Sequence, residues 1–81
     1  MEYNRLKWAS RRGMLELDLV LMPFLENVYQ TLPPEDQALY VELLTNEDQD
    51  MFGWLLKHKE PPTEGLKRIV GIVMDNTGLK V

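Results

Sequence analysis

The sequence predicts an all-α fold, a small bundle of about five short helices, on three observations. Apolar residues recur at helical spacing, prolines and glycines break the chain at short intervals, and no two alternating runs exist that could pair as strands. With 81 residues, the chain 1–81 is read as a single domain. At this size folding buries roughly 60% of the unfolded surface, so there is one modest core and little room for an enclosed cleft.

The first helix spans Glu2 to Arg12, with Leu6 and Ala9 turned one way and Arg5, Lys7 and Arg11 toward water. Gly13 ends it, since glycine accepts the left-handed conformation common just past a helix end. The second segment opens on a period-2 run of leucines, Leu15, Leu17, Leu19 and Leu21, which suits a strand. A lone strand has no partner, and Leu21, Phe24, Leu25, Val28 and Leu32 follow at helical spacing. The spacing therefore predicts a helix from about Leu15 to Leu32, bent near Pro23, where an interior proline removes one backbone hydrogen bond.

Pro33-Pro34 breaks the chain again. Pro34-Glu35-Asp36 suits a first turn, with proline early and carboxylates at the positive end of the helix dipole. The third helix runs to about Thr45 on a stripe of Leu39, Tyr40, Leu43 and Leu44. Asn46 or Asp48 caps a fourth helix, Asp48 to Lys57, that buries Met51, Phe52, Leu55 and Leu56. Lys57, His58 and Lys59 follow where a helix C-terminus favours cations. After Pro61-Pro62, Thr63 caps a fifth helix with the stripe Leu66, Ile69, Val70, Val73, fraying toward Asn76-Thr77-Gly78. Connections this short favour antiparallel neighbours.

Composition excludes several functions. No cysteine is present, which rules out disulfides, thiolate metal sites and a thiol nucleophile. No apolar run approaches a membrane span, and Met1-Glu2-Tyr3-Asn4 lacks the layout of a signal peptide. We therefore expect a soluble, intracellular protein without membrane insertion. The net charge is -4, and its distribution is uneven. Residues 1–13 hold Arg5, Lys7, Arg11 and Arg12 against Glu2, whereas from Gly13 to Leu56 there is no Lys or Arg and carboxylates accumulate. Such a body repels a phosphate backbone, so no nucleic-acid partner is expected.

Catalytic signatures are missing too. Counted from Asp48, the fifth and twelfth positions of a calcium loop fall on Phe52 and Lys59, which offer no oxygen ligand. His58 is the only histidine and has no nucleophile or further ligand at motif spacing. The glycines at 13, 53, 65, 71 and 78 never cluster into a phosphate loop. Neither an enzyme nor tight FAD binding by this chain is expected.

The segment Arg11-Arg12-Gly13-Met14-Leu15-Glu16-Leu17-Asp18 puts two guanidiniums, a glycine and two carboxylates between the first two helices. From the residues alone two readings stand. Arg12 and Glu16 are charged helix ends stabilised by their dipoles, or they form a forked donor and an acceptor held side by side for a partner's backbone and carboxylates. Trp8, one turn before Arg12, is expected to be partly exposed, and tryptophan and arginine are enriched at binding hot spots. Trp54 is expected to be at least partly buried.

The spelling Arg12-Gly13-x-x-Glu16, preceded by Trp8-Ala9-Ser10-Arg11 and followed by an apolar run through Met22-Pro23-Phe24, resembles the RGxxE motif of the small FAD assembly factors of succinate dehydrogenase. Asp48-x-Asp50-Met51-Phe52-x-Trp54-Leu55 resembles that family's second block, at similar separation. The resemblance implies a protein that binds the flavoprotein subunit of succinate dehydrogenase or fumarate reductase and promotes covalent attachment of FAD to it. The partner would bring both the FAD and the histidine that attacks it. It also implies a partner-binding surface of Trp8, Arg11, Arg12, Gly13, Glu16, Asp18 and Asp50, with no catalytic residue. Members of this family have also carried an antitoxin label, which leaves a toxin-neutralising regulator as the alternative. A bacterial cytoplasm is the expected location.

Overall fold

The computed structural model describes residues 2–76 and contains five α-helices, with no β-strand among the described residues. They are α1 (Tyr3–Ser10), α2 (Leu15–Asn27), α3 (Pro34–Leu43), α4 (Asp48–Leu56) and α5 (Glu64–Asp75), with one 3-10 turn at Tyr29–Thr31. The predicted fraying at Thr77-Gly78 lies outside the described residues.

The central element is α2, which packs against α1, α4 and α5, while α3 lies on α5 and α4 on α5. Its inward stripe is Leu17, Val20, Leu21, Phe24 and Leu25, all buried. Tyr40 and Leu43 from α3, Met51, Trp54 and Leu55 from α4, and Leu66, Ile69, Val70 and Val73 from α5 complete one continuous core with Leu6 of α1. The Tyr40 ring lies 5.4 Å from both Phe24 and Tyr29, centroid to centroid and tilted in each case, the offset arrangement that aromatic quadrupoles favour.

Several boundaries differ from the sequence reading. The first helix stops at Ser10, not Arg12, because Arg11 is already extended (φ -87°, ψ 103°). Gly13 is therefore not its end cap but a turn residue further on, with φ +80°. The second helix passes through Pro23 and ends at Asn27, short of Leu32. Pro23 and Leu19 are both exposed, so water can take the Leu19 carbonyl that proline leaves without an N–H. Leu32, preceding a proline, is extended (ψ 148°). The chain tightens toward it through Thr31 and Leu32 amides donating to the Val28 and Tyr29 carbonyls.

The fifth helix is capped as predicted, Thr63 Oγ1 accepting the Leu66 amide at 3.1 Å. At α4 neither expected cap acts. The cap position is Glu47, with no side-chain bond, and Asn46 instead turns back to donate to the Glu42 and Leu43 carbonyls ending α3. On the far side, α3 and α5 are joined by Arg68, which grips the buried Asp36 with both ends of its fork at 2.7 and 3.0 Å.

Candidate functional site

The junction between α1 and α2 is held by two polar contacts of different kinds. Ser10, the last residue of α1, is fully buried, and its hydroxyl shares a 2.8 Å hydrogen bond with that of Tyr40 on α3. Burial pushes the Tyr40 phenol up to about 12, against a smaller lowering by the bond to Ser10. This neutral pair ties the end of α1 to α3.

Two residues further on, Arg12 turns inward. Its Nε donates to Asp48 Oδ1 at 2.7 Å, its Nη1 to the Ala9 and Leu44 carbonyls at 3.0 and 2.9 Å, and its Nη2 to the Asn46 carbonyl at 2.7 Å. Its own amide donates to Asp18 Oδ1 at 2.7 Å. One guanidinium thus links the end of α1, the turn between α3 and α4, and the first turn of α4. Leu44 ends α3, where helix carbonyls lack internal donors and a cation is favoured. No basic residue stands in the last turn of α3, so Arg12 supplies that cation from outside the helix.

Outside this clamp the junction is open. Arg11, Gly13, Leu15 and Glu16 are exposed, and a Cβ built on Gly13 would meet nothing within 4 Å. Glu16 lies in the first turn of α2, where its charge is favoured. Three large apolar side chains of α1 and α2 also face water: Trp8 is 75% exposed, Leu15 69% and Leu19 62%. Leu15, Leu19 and Met22 follow each other at i, i+4, i+7 along α2, off its core stripe. Asn4, Lys7 and Trp8 of α1, with Arg11 just past its end and Met22 of α2, line a groove of about 330 Å³. The surface is therefore apolar along its middle with cations on the α1 side.

Of the residues singled out in the sequence, Trp8 and Arg11 share the groove, and Gly13 and Glu16 are exposed on the turn into α2 and its first turn. Arg12 and Asp18 are half-buried and bonded within the protein. The free fork expected at Arg12 is not found, because carbonyls at two helix ends and the Asp48 carboxylate already surround it. Nor does Arg12 pair with Glu16 in the structure. Asp50 is exposed on the first turn of α4, the turn that Arg12 holds through Asp48. Trp54 is buried at 9% exposure. Leu15 and Leu19 were not singled out in the sequence, where the leucine run was weighed only as strand against helix. Their offset from Leu17, Val20, Leu21 and Phe24 on a helical wheel was the available signal.

Among the described residues, no cluster of three or more His, Asp or Glu is arranged to hold a metal ion, and no helix is long and apolar enough to cross a membrane. Fold and site together define a small all-helical protein presenting a mixed apolar and charged surface at a helix junction. A family described as the flavinator of succinate dehydrogenase matches residues 4–76. Proteins named FAD assembly factor SdhE are similar along most of the chain. The one from Pseudomonas putida is 55% identical over 74 residues, covering 91% of this chain and 88% of its own. Those from Shewanella oneidensis and Serratia sp. are 47% identical over 70 residues, covering 86% of this chain and 85% of theirs, and 46% over 69, covering 85% and 78%. The chain belongs to this family of flavinators of succinate dehydrogenase.

Proposed function

We propose that this chain is a non-enzymatic FAD assembly factor that binds the flavoprotein subunit of succinate dehydrogenase, or of fumarate reductase, and promotes covalent attachment of FAD to it in a bacterial cytoplasm. The observation that carries this reading is the exposure of Trp8, Leu15 and Leu19, which lie within a few residues of Gly13 and Glu16 in the sequence. Large apolar side chains exposed on a small protein mark an interaction surface, and here they flank the family motif along the chain. Trp8 and the leucines would supply buried contact area. Glu16 would accept hydrogen bonds from the partner, and Gly13, lacking a side chain, would admit the partner's backbone at close range. Arg11, Lys7 and Asp50 would set orientation from the rim, where charges steer more than they bind.

On this reading the partner carries the FAD and the attacking histidine, and this chain binds no FAD tightly. Its contribution is conformational. By binding one arrangement of the flavoprotein better than others it raises that arrangement's population, to the extent that its affinities for them differ. The test is to express the flavoprotein subunit with and without this chain and read covalent flavin by fluorescence of the denatured subunit. Flavin rising with the chain, together with co-purification of the two proteins, is the expected result. Unchanged flavin and no complex would overturn the proposal, and a stoichiometric flavin absorbance in the purified chain alone would overturn the assignment of the cofactor to the partner.

A further inference from the structure

The arginine of the motif has almost nothing left to offer a partner. A guanidinium carries five N–H groups. One from Nε, two from Nη1 and one from Nη2 already have acceptors at 2.7 to 3.0 Å within the protein, which leaves one. Its side chain is 16% exposed, whereas its neighbour Arg11 is exposed and lines the groove beside Trp8. The two adjacent arginines thus point to opposite tasks.

We propose that Arg12 is a positioning residue for flavinylation, a clamp that sets the Gly13–Glu16 turn against the first turn of α4 and does not itself touch the flavoprotein. This rests on the partner-binding reading of that surface. The clamp has two ends. On one, the side chain gathers the Leu44 and Asn46 carbonyls and Asp48, residues 32 to 36 positions away in sequence. On the other, the Arg12 amide is tied to Asp18, two residues past Glu16 on α2. Gly13 lies between these anchors, and its positive φ allows the chain to reverse from the inward Arg12 to the outward Glu16. The distance between the motif and Asp50 is therefore governed by Arg12 and Asp48 together, and removing either partner should disturb the same surface in the same way. Lysine cannot replace the clamp, since it keeps the charge but loses the planar fork that reaches four acceptors.

The experiment compares Arg12→Lys, Asp48→Ala and the double variant of the full chain, at a temperature where melts show all three folded. Two quantities are read: amide hydrogen exchange at residues 12–18 in the isolated protein, and the dissociation constant for the succinate dehydrogenase flavoprotein subunit. We expect exchange to quicken in both single variants. Affinity should fall by about tenfold in each, with the double variant no weaker than the weaker single, the signature of residues acting as one unit. Losses that add would overturn the proposal, as would an Arg12→Lys loss with Asp48→Ala binding normally, because both results would place Arg12 in direct contact with the partner. Variants that exchange faster yet bind as the wild type would show the clamp to be dispensable and overturn it as well. A wild-type chain that fails to bind the flavoprotein would refute the functional reading itself, and with it this inference, whatever the exchange data show.

Discussion

Substitution at Gly13 separates backbone conformation from partner contact. With φ at +80°, any residue bearing a Cβ is strained there, at a cost of roughly 1–2 kcal/mol for alanine. No collision adds to this, since the new Cβ would meet nothing within 4 Å. For a domain of this size each kcal/mol lowers the melting temperature by about 4–8 °C, so Gly13→Ala should melt roughly 4–16 °C lower. Asparagine tolerates the left-handed region better than alanine, so Gly13→Asn should recover much of that loss. If a partner's backbone approaches this position, the asparagine side chain blocks it just as alanine does. Both variants should then fail in flavinylation although only one is appreciably destabilised. Circular dichroism melts alongside covalent flavin on the co-expressed subunit give the two readouts. A Gly13→Asn protein that melts near wild type and flavinylates fully would refute the idea that the partner uses this space. Gly65 is the contrast: a Cβ there lies 2.9 Å from Leu39 Cδ2, so Gly65→Ala should disturb the packing of α5 without acting at the motif surface.

Glu16→Ala and Leu19→Ser, both at exposed positions, should change stability by no more than about 0.5 kcal/mol while weakening flavoprotein binding in a pull-down or calorimetric titration. Normal binding by both would remove the motif face from the interface. Ser10→Ala and Tyr40→Phe should each cost about 1–3 kcal/mol by stranding the other buried hydroxyl, and the double variant less than their sum, measured by urea denaturation; strict additivity would show that the two hydroxyls are not partners. Bonding to Arg68 holds the Asp36 carboxyl below its ordinary 3.8. The folded state therefore favours the ionised form, and the contribution is present above that ordinary value and lost as pH falls through the lowered one. Urea midpoints should drop below about pH 4, and Asp36→Asn should lack this part of the fall. Tyr40 works in the opposite direction: its contribution is whole below pH 10 and is lost as pH rises toward about 12, a decline that Tyr40→Phe should flatten.

The helices were legible because their boundaries are made by local chemistry. Proline pairs, Thr63 and the stripes of α4 and α5 act over a few residues, and Leu66, Ile69, Val70 and Val73 are all buried as their spacing predicts. Misreadings arose where a distant group changed the outcome. Asp48 looked like a cap for α4 but pairs with Arg12, 36 residues earlier. Asp36 does sit in the first turn of α3, but the sequence did not show that its side chain is 3% exposed and paired with Arg68 of α5. Leu15 and Leu19 belong to a leucine run whose members divide between core and water, a division fixed only once the faces of α2 are assigned by packing against α1, α4 and α5. The site was visible as a motif, while the inward turn of Arg12 was not, since nothing in an Arg-Gly pair says which way the guanidinium points.

The uneven charge of the sequence finds its explanation in these same contacts. Cations gather before Gly13 and after Leu56, and the acidic middle of the chain has none of its own. In three dimensions a cation reaches that middle from each side, Arg12 to Asp48 and Arg68 to Asp36. Each bond joins segments more than 30 residues apart, and each ties an arginine to a carboxylate in the first turn of a helix, α4 in one case and α3 in the other. Pairing an arginine through several hydrogen bonds fixes geometry more firmly than a simple charge contact. The two anchors therefore act as registers, one placing α4 relative to the motif and the other placing α5 relative to α3. Residues left outside the pairs, Arg11 and Lys7 among the cations and Glu16 and Asp50 among the anions, are exposed. On the proposed reading, the charges offered to the flavoprotein are those the fold has not placed in these two anchors.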